Sequence, residues 1–171
     1  MRRTTVTIIG ALALCCCTAA VGGILAPGDA FPDWQLPDQG GKTVSAKDLA
    51  GKSYLLWFYP KAQTPGCIAE GRGLRDKIEE FRARGIEIVG VSFDAPEANA
   101  AFVQAEGFPF RLLSDRDRTL ARAVGAADSP DAPVARRISY LVGPDGRVKR
   151  AYASVTPATH AADVLGDIPS S

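Results

Sequence analysis

The stretch YLLWFYPKAQTPGC, residues 54–67, decides the fold of this chain. Its first part, Tyr54–Tyr59, is an unbroken apolar run rich in aromatic side chains, which is typical of a strand buried on both faces of a sheet. Pro60 ends this strand because a proline has no N–H to donate to a neighbouring strand. Beyond it, the spacing of three apolar side chains predicts a helix over residues 66–84: Leu74, Ile78 and Phe81. A buried strand that leads into a helix indicates an α/β domain.

The rest of the body predicts the other strands and helices of such a domain. A small hairpin over residues 34–44 and a one-turn helix capped by Ser45 come before the central strand. After it we expect strands over 86–92, 110–113, 138–142 and 148–152, and helices over 96–106, 119–124 and from Thr156 onward, with Pro157 in the first turn. A turn joins the last two strands as a hairpin. The sequence therefore predicts a mixed central sheet with helices on both faces and an antiparallel edge.

The first 28 residues differ from the body in composition. Arg2 and Arg3 precede an uncharged run whose centre, Val6–Ala26, has 21 residues. At about 1.5 Å per residue, such a hydrophobic helix can span a bilayer. We therefore expect residues 1–28 to be a signal peptide or membrane anchor and residues 29–171 to form the domain of an exported, periplasmic or extracytoplasmic protein. Three alternatives concern the same run: cleavage near Thr18–Ala20, a lipid on one of Cys15–Cys17, or a buried core helix.

Charge and composition exclude several classes of function. The whole chain has 20 Lys and Arg against 19 Asp and Glu, and without Arg2, Arg3 and Asp29 the body is formally neutral. Proteins that bind nucleic acid concentrate basic charge on one face, so we expect no nucleic-acid partner. The chain has one histidine and no C-x-x-C spacing, which leaves little material for a zinc site. We expect neither a metal nor a cofactor.

The chemistry of the body centres on Cys67, its only cysteine. Cys67 opens the predicted helix, where unpaired N–H groups and the positive end of the helix dipole favour a thiolate over a thiol. Gly66 allows a bound group to approach the backbone closely, and Thr64 places a hydroxyl three residues before the sulfur. This pattern indicates an activated cysteine, although a small buried side chain is the usual role of a free cysteine.

The segment Pro60–Cys67 resembles the active-site signature of the peroxiredoxins, Pro-x-x-x-Thr-x-x-Cys. It is most similar to the bacterioferritin comigratory protein branch of that family, and further segments fit the same branch: Phe58–Lys61, Glu70, Leu74–Asp76, Gly90–Asp94, Leu112–Asp115 and Arg137–Val142. The resemblance extends over residues 27–168. It implies a thioredoxin-like fold and a thiol-dependent peroxidase that reduces hydrogen peroxide and organic hydroperoxides.

The resemblance also implies a role for each residue of the site. Cys67 is expected to be the nucleophile that attacks the peroxide, and Thr64 is expected to hydrogen-bond the thiolate and the peroxide oxygens. Pro60 is expected to shield the pocket from water. Arg137 is expected to stabilise the thiolate and bind the peroxide, with its neighbour Arg136 as the alternative if the register shifts by one residue.

One feature departs from the common pattern of the branch. Many members have a second, resolving cysteine five residues after the first, and Arg72 occupies that position here. Cys15–Cys17 would serve only if they are neither cleaved off nor embedded in a membrane. We therefore expect a one-cysteine enzyme whose Cys67 sulfenic acid is reduced by an external thiol, such as thioredoxin or a low-molecular-weight thiol. Such an enzyme can be a monomer or a homodimer.

Other functions also fit a thioredoxin-like domain with a single cysteine. A thiol–disulfide oxidoreductase is one, but it normally needs a C-x-x-C pair. A non-catalytic binding module tethered to the membrane is another, and it predicts that Cys67 does not react with peroxide. A Cys–His hydrolase is disfavoured because nothing in the sequence places His160 beside Cys67.

The remaining polar residues have simpler interpretations. His160, the single histidine, is expected on the surface or in a helix cap. Asp94 is expected to cap the helix that begins near Pro96. Arg72 is expected to be a solvated surface residue, and Glu70 fits either a bond to Arg137 or an exposed position on its helix.

Overall fold

A five-stranded mixed sheet forms the centre of residues 22–168, the part of the chain that the computed structural model describes. The strands follow in chain order as β1 (Gln35–Pro37), β2 (Thr43–Ser45), β3 (Ser53–Phe58), β4 (Ile86–Ser92), β5 (Arg111–Ser114), β6 (Ile138–Val142) and β7 (Val148–Tyr152). β1 and β2 pair as a separate antiparallel hairpin. The sheet order is β5-β4-β3-β6-β7, with β3, β4 and β5 parallel and the β3–β6 and β6–β7 pairs antiparallel. This is the mixed sheet with an antiparallel edge that the sequence predicts.

Helices cover both faces of the sheet, as predicted. They are α1 (Pro65–Asp76), α2 (Ile78–Ala83), α3 (Pro96–Glu106), α4 (Thr119–Ala123) and α5 (His160–Gly166), with a one-turn 3-10 helix at Ala46–Leu49. Side chains of β3 alternate between two cores because successive residues of a strand point to opposite faces. Leu55 and Trp57 pack with side chains of α1, α2, α3 and α5, whereas Leu56 and Phe58 pack with those of α4 and the β1–β2 hairpin.

The structure corrects the prediction of one continuous helix over residues 66–84. The chain bends at Lys77, with φ −106° and ψ 12°, which ends α1 and precedes α2. With this bend α2 packs on β4, and Phe81 is fully buried. The spacing of apolar residues predicts one straight helix, but the bend at Lys77 is what lets Phe81 become buried.

The last helix begins later than predicted. The carbonyl oxygen of Thr156 accepts the N–H groups of Thr159 at 3.1 Å and His160 at 3.0 Å, which makes residues 156–159 a turn. Thr159 rather than Thr156 is the N-cap of α5, and Pro157 lies before the helix. His160 is therefore the first residue of α5.

The prediction for Asp94 is also wrong. Ala95 occupies the N-cap position of α3 and makes no side-chain cap hydrogen bond. The Asp94 carboxylate instead accepts the N–H of Ala62 at 2.8 Å. Asp94 therefore contacts the loop between β3 and α1.

Residues 22–28 lie along the domain without regular secondary structure. The N–H of Gly28 donates to the Val148 oxygen at 2.8 Å, and the N–H of Leu25 donates to the Tyr140 hydroxyl at 3.2 Å. The predicted N-terminal hydrophobic helix, signal peptide or anchor falls mostly on residues 1–21, outside the described residues. Between residues 22 and 168, no helix is long and apolar enough to cross a membrane.

Candidate active site

Cys67 lies at the start of α1, just beyond the carboxyl end of the central strand. β3 ends at Phe58, and the N–H of the following Tyr59 still donates to the Val91 oxygen at 3.0 Å. Thr64 is the N-cap of α1, so Cys67 is the third residue of the helix. The first N–H groups of a helix have no acceptor within it and add positive potential around the fully buried sulfur.

Arg137 reaches the sulfur from the neighbouring strand. It directly precedes β6, whose first residue, Ile138, pairs with Phe58 at the end of β3. Its Nη2 donates to Cys67 Sγ at 3.5 Å. Arg136 instead forms an ion pair with Asp128, and its side chain is 51% exposed. Of the two candidate arginines, Arg137 is therefore the one that contacts the sulfur.

Gly66 makes this approach possible. A Cβ atom at this position would lie 3.0 Å from Arg137 Nη2 and 3.8 Å from Pro157 Cγ. The first distance is shorter than an ordinary contact between a carbon and a nitrogen atom, so a side chain here would displace the guanidinium. The sequence predicts the close approach of a bound group at Gly66, which stays a prediction, and the group that the structure places there is the Arg137 guanidinium.

Glu70 binds the other side of the same guanidinium. Its carboxylate is fully buried and forms an ion pair with Arg137 Nη1. Burial raises the pKa of Glu70, and the hydrogen bond from Arg137 opposes that shift. Burial disfavours the charged form of Arg137, but Glu70 and the Cys67 sulfur raise the pKa of Arg137 overall. Of the two interpretations of Glu70, the bond to Arg137 is correct.

His160 is buried beside this ion pair, so the prediction of a surface or capping position is wrong. It is 1% exposed, and its Nε2 lies 2.9 Å from Ser139 Oγ and 3.8 Å from Glu70 Oε1. Burial lowers the pKa of His160 to about 4, with Asp163 opposing and Arg137 adding to the shift. The imidazole is therefore neutral at pH 7. The sequence contains one signal for the burial of His160. The apolar Val164 follows it by four residues, and residues at i and i+4 share a helix face.

The loop between β3 and α1 is held by short hydrogen bonds. Besides the Ala62 bond to Asp94, the Thr64 hydroxyl donates to the Lys61 oxygen at 2.9 Å. Gln63 adopts a left-handed conformation with φ 61°, which a residue other than glycine keeps only where its surroundings impose it. The loop thus has a defined shape. The expected contact of Thr64 with thiolate or peroxide, and the shielding role of Pro60, stay predictions.

Arg72 does not contact the sulfur. Its Nε forms a salt bridge with Glu106 Oε2 at 2.5 Å, and 54% of its side chain is exposed. Cys67 is the one free cysteine of residues 22–168, and within the same range no three His, Cys, Asp or Glu side chains cluster in the manner of metal ligands. The site therefore consists of one sulfur, one guanidinium and the buried polar groups behind them.

Comparison with known proteins identifies the family. Residues 27–151 match the AhpC/TSA family. Peroxiredoxin Bcp of Escherichia coli strain K12 is 35% identical over 141 residues, which are 80% of this chain and 90% of that protein. The crystal structure of peroxidoxin BcpB from Mycobacterium tuberculosis has a TM-score of 0.76 at 30% identity and covers 82% of this chain and 94% of its own. The bacterioferritin comigratory protein of Xanthomonas campestris, described with an alkyl peroxide reduction activity, has a TM-score of 0.72 at 33% identity and covers 78% and 88%.

Fold and site together define a peroxiredoxin with a thioredoxin-like fold. The chain belongs to the AhpC/TSA family and is similar to the Bcp peroxiredoxins of that family. It is therefore an enzyme, a thiol-dependent peroxidase that uses a peroxide substrate and a thiol reductant. The resemblance noted from the signature is confirmed, and the alternative of a non-catalytic binding module is not favoured.

Proposed function

We propose that this enzyme reduces hydrogen peroxide and organic hydroperoxides through a sulfenic acid on Cys67, by a one-cysteine mechanism. The observation that carries the proposal is the contact of Arg137 Nη2 with Cys67 Sγ at 3.5 Å. A guanidinium beside a sulfur at a helix N-terminus favours the thiolate, which is the reactive form of a cysteine. The alkyl peroxide reduction described for the Xanthomonas campestris relative supports the substrate class.

The proposed chemistry is a two-electron displacement. The Cys67 thiolate attacks one peroxide oxygen, an S–O bond forms and the O–O bond breaks. The departing oxygen takes the electron pair of that bond and a proton, and leaves as water or an alcohol. Negative charge grows on this oxygen in the transition state, so fixed donors near the sulfur lower the barrier.

Three residues have proposed roles around the nucleophile. Arg137 stabilises the thiolate and the developing oxyanion, and Thr64 turns its hydroxyl from the Lys61 oxygen to the peroxide when substrate binds. Pro60 limits the access of water to the sulfur. The sulfur is fully buried, so a peroxide reaches it only past the side chains that surround it.

The second half of the cycle needs a thiol from outside the domain. Arg72 stands where many relatives of this branch have a resolving cysteine, and Cys67 is the single cysteine between residues 22 and 168. We propose that thioredoxin or a low-molecular-weight thiol attacks the sulfenic acid, releases water and forms a mixed disulfide, which a second thiol reduces. The absence of a C-x-x-C pair from the sequence disfavours a dedicated thiol–disulfide oxidoreductase.

Peroxide titration with chemical trapping tests the proposal. The reduced protein is mixed with one equivalent of hydrogen peroxide or an alkyl hydroperoxide in the presence of dimedone, and the adduct is mapped by mass spectrometry. We expect one dimedone adduct on the Cys67 peptide, and none on that peptide in the Cys67→Ser variant. Loss of peroxide without an adduct at Cys67, or no loss of peroxide, contradicts the proposal.

Export and assembly are further parts of the proposal. Arg2, Arg3 and the uncharged run Val6–Ala26 support an exported enzyme, periplasmic or otherwise extracytoplasmic, with residues 1–28 as signal peptide or anchor. Fractionation of cells, with the mass of the mature chain measured, distinguishes a cleaved, a lipidated and a retained segment. Sedimentation of the purified protein distinguishes a monomer from a homodimer.

A further inference from the structure

A row of buried polar groups crosses the sheet behind the Arg137–Glu70 pair. Trp57 of β3 lies opposite Ser139 of β6, and Ser139 lies opposite Tyr152 of β7. Glu70 from α1 and His160 from α5 approach this row, and both are buried. Polar groups rarely occur in such a place without a structural or chemical reason, because burying them without partners costs free energy.

The two oxygens of Glu70 have different surroundings. Oε2 binds Arg137 Nη1, whereas Oε1 has no hydrogen-bond partner among the described residues. The nitrogen that lies beside Oε1 is His160 Nε2, at 3.8 Å. Trp57 Nε1 is a buried donor that likewise has no hydrogen-bond partner within residues 22–168. One carboxylate oxygen is thus paired, and the other lies near a neutral imidazole without a hydrogen bond.

His160 is held in place on two sides. Its Nε2 lies 2.9 Å from Ser139 Oγ, and its ring packs edge-on against the ring of Tyr152 at a centroid distance of 5.3 Å. The backbone of His160 is tied to the turn before α5 by the bond to Thr156. The imidazole therefore presents Nε2 to the narrow space between Ser139 and Glu70.

We propose that His160 is a positioning residue for the Cys67 centre: it orients Glu70, so that Glu70 holds the Arg137 guanidinium against the sulfur. Arg137 has a long, flexible side chain that is 20% exposed to solvent. It therefore needs a fixed acceptor to keep its guanidinium at the sulfur. Glu70 supplies that acceptor only if its carboxylate does not rotate. A neutral polar group beside the second oxygen, His160 Nε2 at 3.8 Å, favours the rotation of the carboxylate plane in which one oxygen faces Arg137 and the other faces the imidazole.

The inference rests on the proposed peroxidase mechanism, and it assigns a task to a residue outside the signature. Its test compares His160→Phe, which keeps a flat ring without nitrogen, with His160→Gln, which keeps a side-chain N–H. Tyr152→Phe is the matched control, because it removes a hydroxyl without a partner in the described residues from the same cluster. Each variant is measured for the rate at which peroxide oxidises Cys67, for the rate at which iodoacetamide alkylates it, and for unfolding in urea.

We expect His160→Phe to lower both rates by about tenfold, because a Glu70 carboxylate that is no longer oriented lets the Arg137 guanidinium move away from the sulfur. His160→Gln should stay within about twofold of wild type, as should Tyr152→Phe. If His160→Phe does not fold, Ser139→Ala replaces it in the test. This variant should lower both rates by about threefold, because it removes the hydroxyl that lies 2.9 Å from His160 Nε2.

The outcomes distinguish a failure of the proposed peroxidase function from a failure of the positioning role of His160. If wild type does not react with peroxide, the proposed function fails, and the alkylation rates still test His160. If wild type reacts and His160→Phe matches it, or if His160→Phe and His160→Gln slow equally, the positioning role is overturned. Equal slowing with a loss of stability would identify His160 as a packing residue.

Discussion

Arg137 holds its guanidinium between two buried acceptors, the Cys67 sulfur and the Glu70 carboxylate. In the mechanism proposed above, this positive charge stabilises the Cys67 thiolate before the reaction and the leaving oxygen during it. The same arrangement makes Glu70 depend on Arg137, because a buried carboxylate without its cation is costly. Reactivity and stability are therefore linked through one side chain.

Replacing Arg137 by alanine tests this link. We expect Arg137→Ala to slow the oxidation of Cys67 by about 100-fold and to reduce the free energy of unfolding by about 3 kcal/mol. Adding Glu70→Gln should recover much of the stability but not the rate, since the amide is cheaper to bury than the carboxylate. Stopped-flow fluorescence and urea unfolding give the two quantities. Arg136→Ala, which removes the exposed neighbour paired with Asp128, is the control and should match wild type in both.

Gly66 tests the distance dependence of the same contact. A Cβ atom there lies 3.0 Å from Arg137 Nη2, so Gly66→Ala should move the guanidinium by a few tenths of an ångström while all charges stay in place. We expect a rate reduced by about threefold to tenfold, with little change in stability. The measurement is the second-order rate constant with hydrogen peroxide. An unchanged rate would mean that the position of the guanidinium at the sulfur is not critical.

At the scale of elements, α1 carries Cys67, the proposed nucleophile, in its first turn and packs closely on the core at one of its glycines. Gly71 faces the core, where a Cβ atom would lie 2.4 Å from Phe108 Cζ and 3.1 Å from Trp57 Cη2. Gly73 lies two residues on, and a Cβ atom there would meet only Ala161 Cβ, at 3.7 Å. The first glycine is thus required for packing, whereas the second is not.

This difference predicts opposite effects of one substitution in one helix. Gly71→Ala should lower the free energy of unfolding by about 1–3 kcal/mol, because aromatic rings of the core must shift. Gly73→Ala should raise it by about 0.5–1 kcal/mol, the usual preference of a helix for alanine over glycine. Urea unfolding of the two variants measures both values. Similar values for the two variants would contradict the packing described here.

Much of this level of structure could be predicted from local patterns. The apolar run Tyr54–Tyr59 specifies the central strand, and the strands over 138–142 and 148–152 have the predicted bounds. Two predictions failed because they depend on tertiary or local contacts that the spacing of apolar residues does not show. The bend at Lys77 depends on the burial of α2, and the late start of α5 depends on a turn at residues 156–159. The burial of His160 was missed for a different reason, because its spacing to Val164, which places both on one face of α5, was not used.

At the scale of the whole molecule, pairing of β3 with β6 brings together residues that are 70 positions apart in the chain, Cys67 and Arg137. This contact could not be predicted from the residue types or from their spacing in the sequence. The resemblance to a family predicted it, and the pairing register of β3 and β6 explains it. The acidic partner Glu70 comes from the same helix as Cys67, α1, and the histidine behind it comes from a further element, α5. The site is therefore a property of the assembled sheet and its helices.

The buried ionisable groups of the assembled domain predict how its stability depends on pH. His160 has its pKa lowered to about 4 by burial, so its contribution is fully present above pH 6.5 and is lost as the pH falls towards 4. Asp115 has its pKa raised to about 6, chiefly by burial and against the hydrogen bonds from Ala121 and Leu120. Its contribution is present below pH 4 and is lost as the pH rises through 6, and the raised pKa of Glu70 acts in the same direction. The histidine and the carboxyl groups thus oppose each other in one pH window.

Wild type should therefore show only a weak dependence of stability between about pH 4 and 6.5, and single variants should uncover the opposing slopes. In His160→Gln the free energy of unfolding should fall as the pH rises through this window, whereas in Asp115→Asn it should rise. The advantage of wild type over His160→Gln should be larger at pH 7 than at pH 4, by on the order of 3 kcal/mol. Urea unfolding at several pH values measures these slopes. Parallel curves for wild type and His160→Gln would mean that the imidazole titrates alike in the folded and unfolded chains, and its neutral, buried state behind Glu70 would then be wrong.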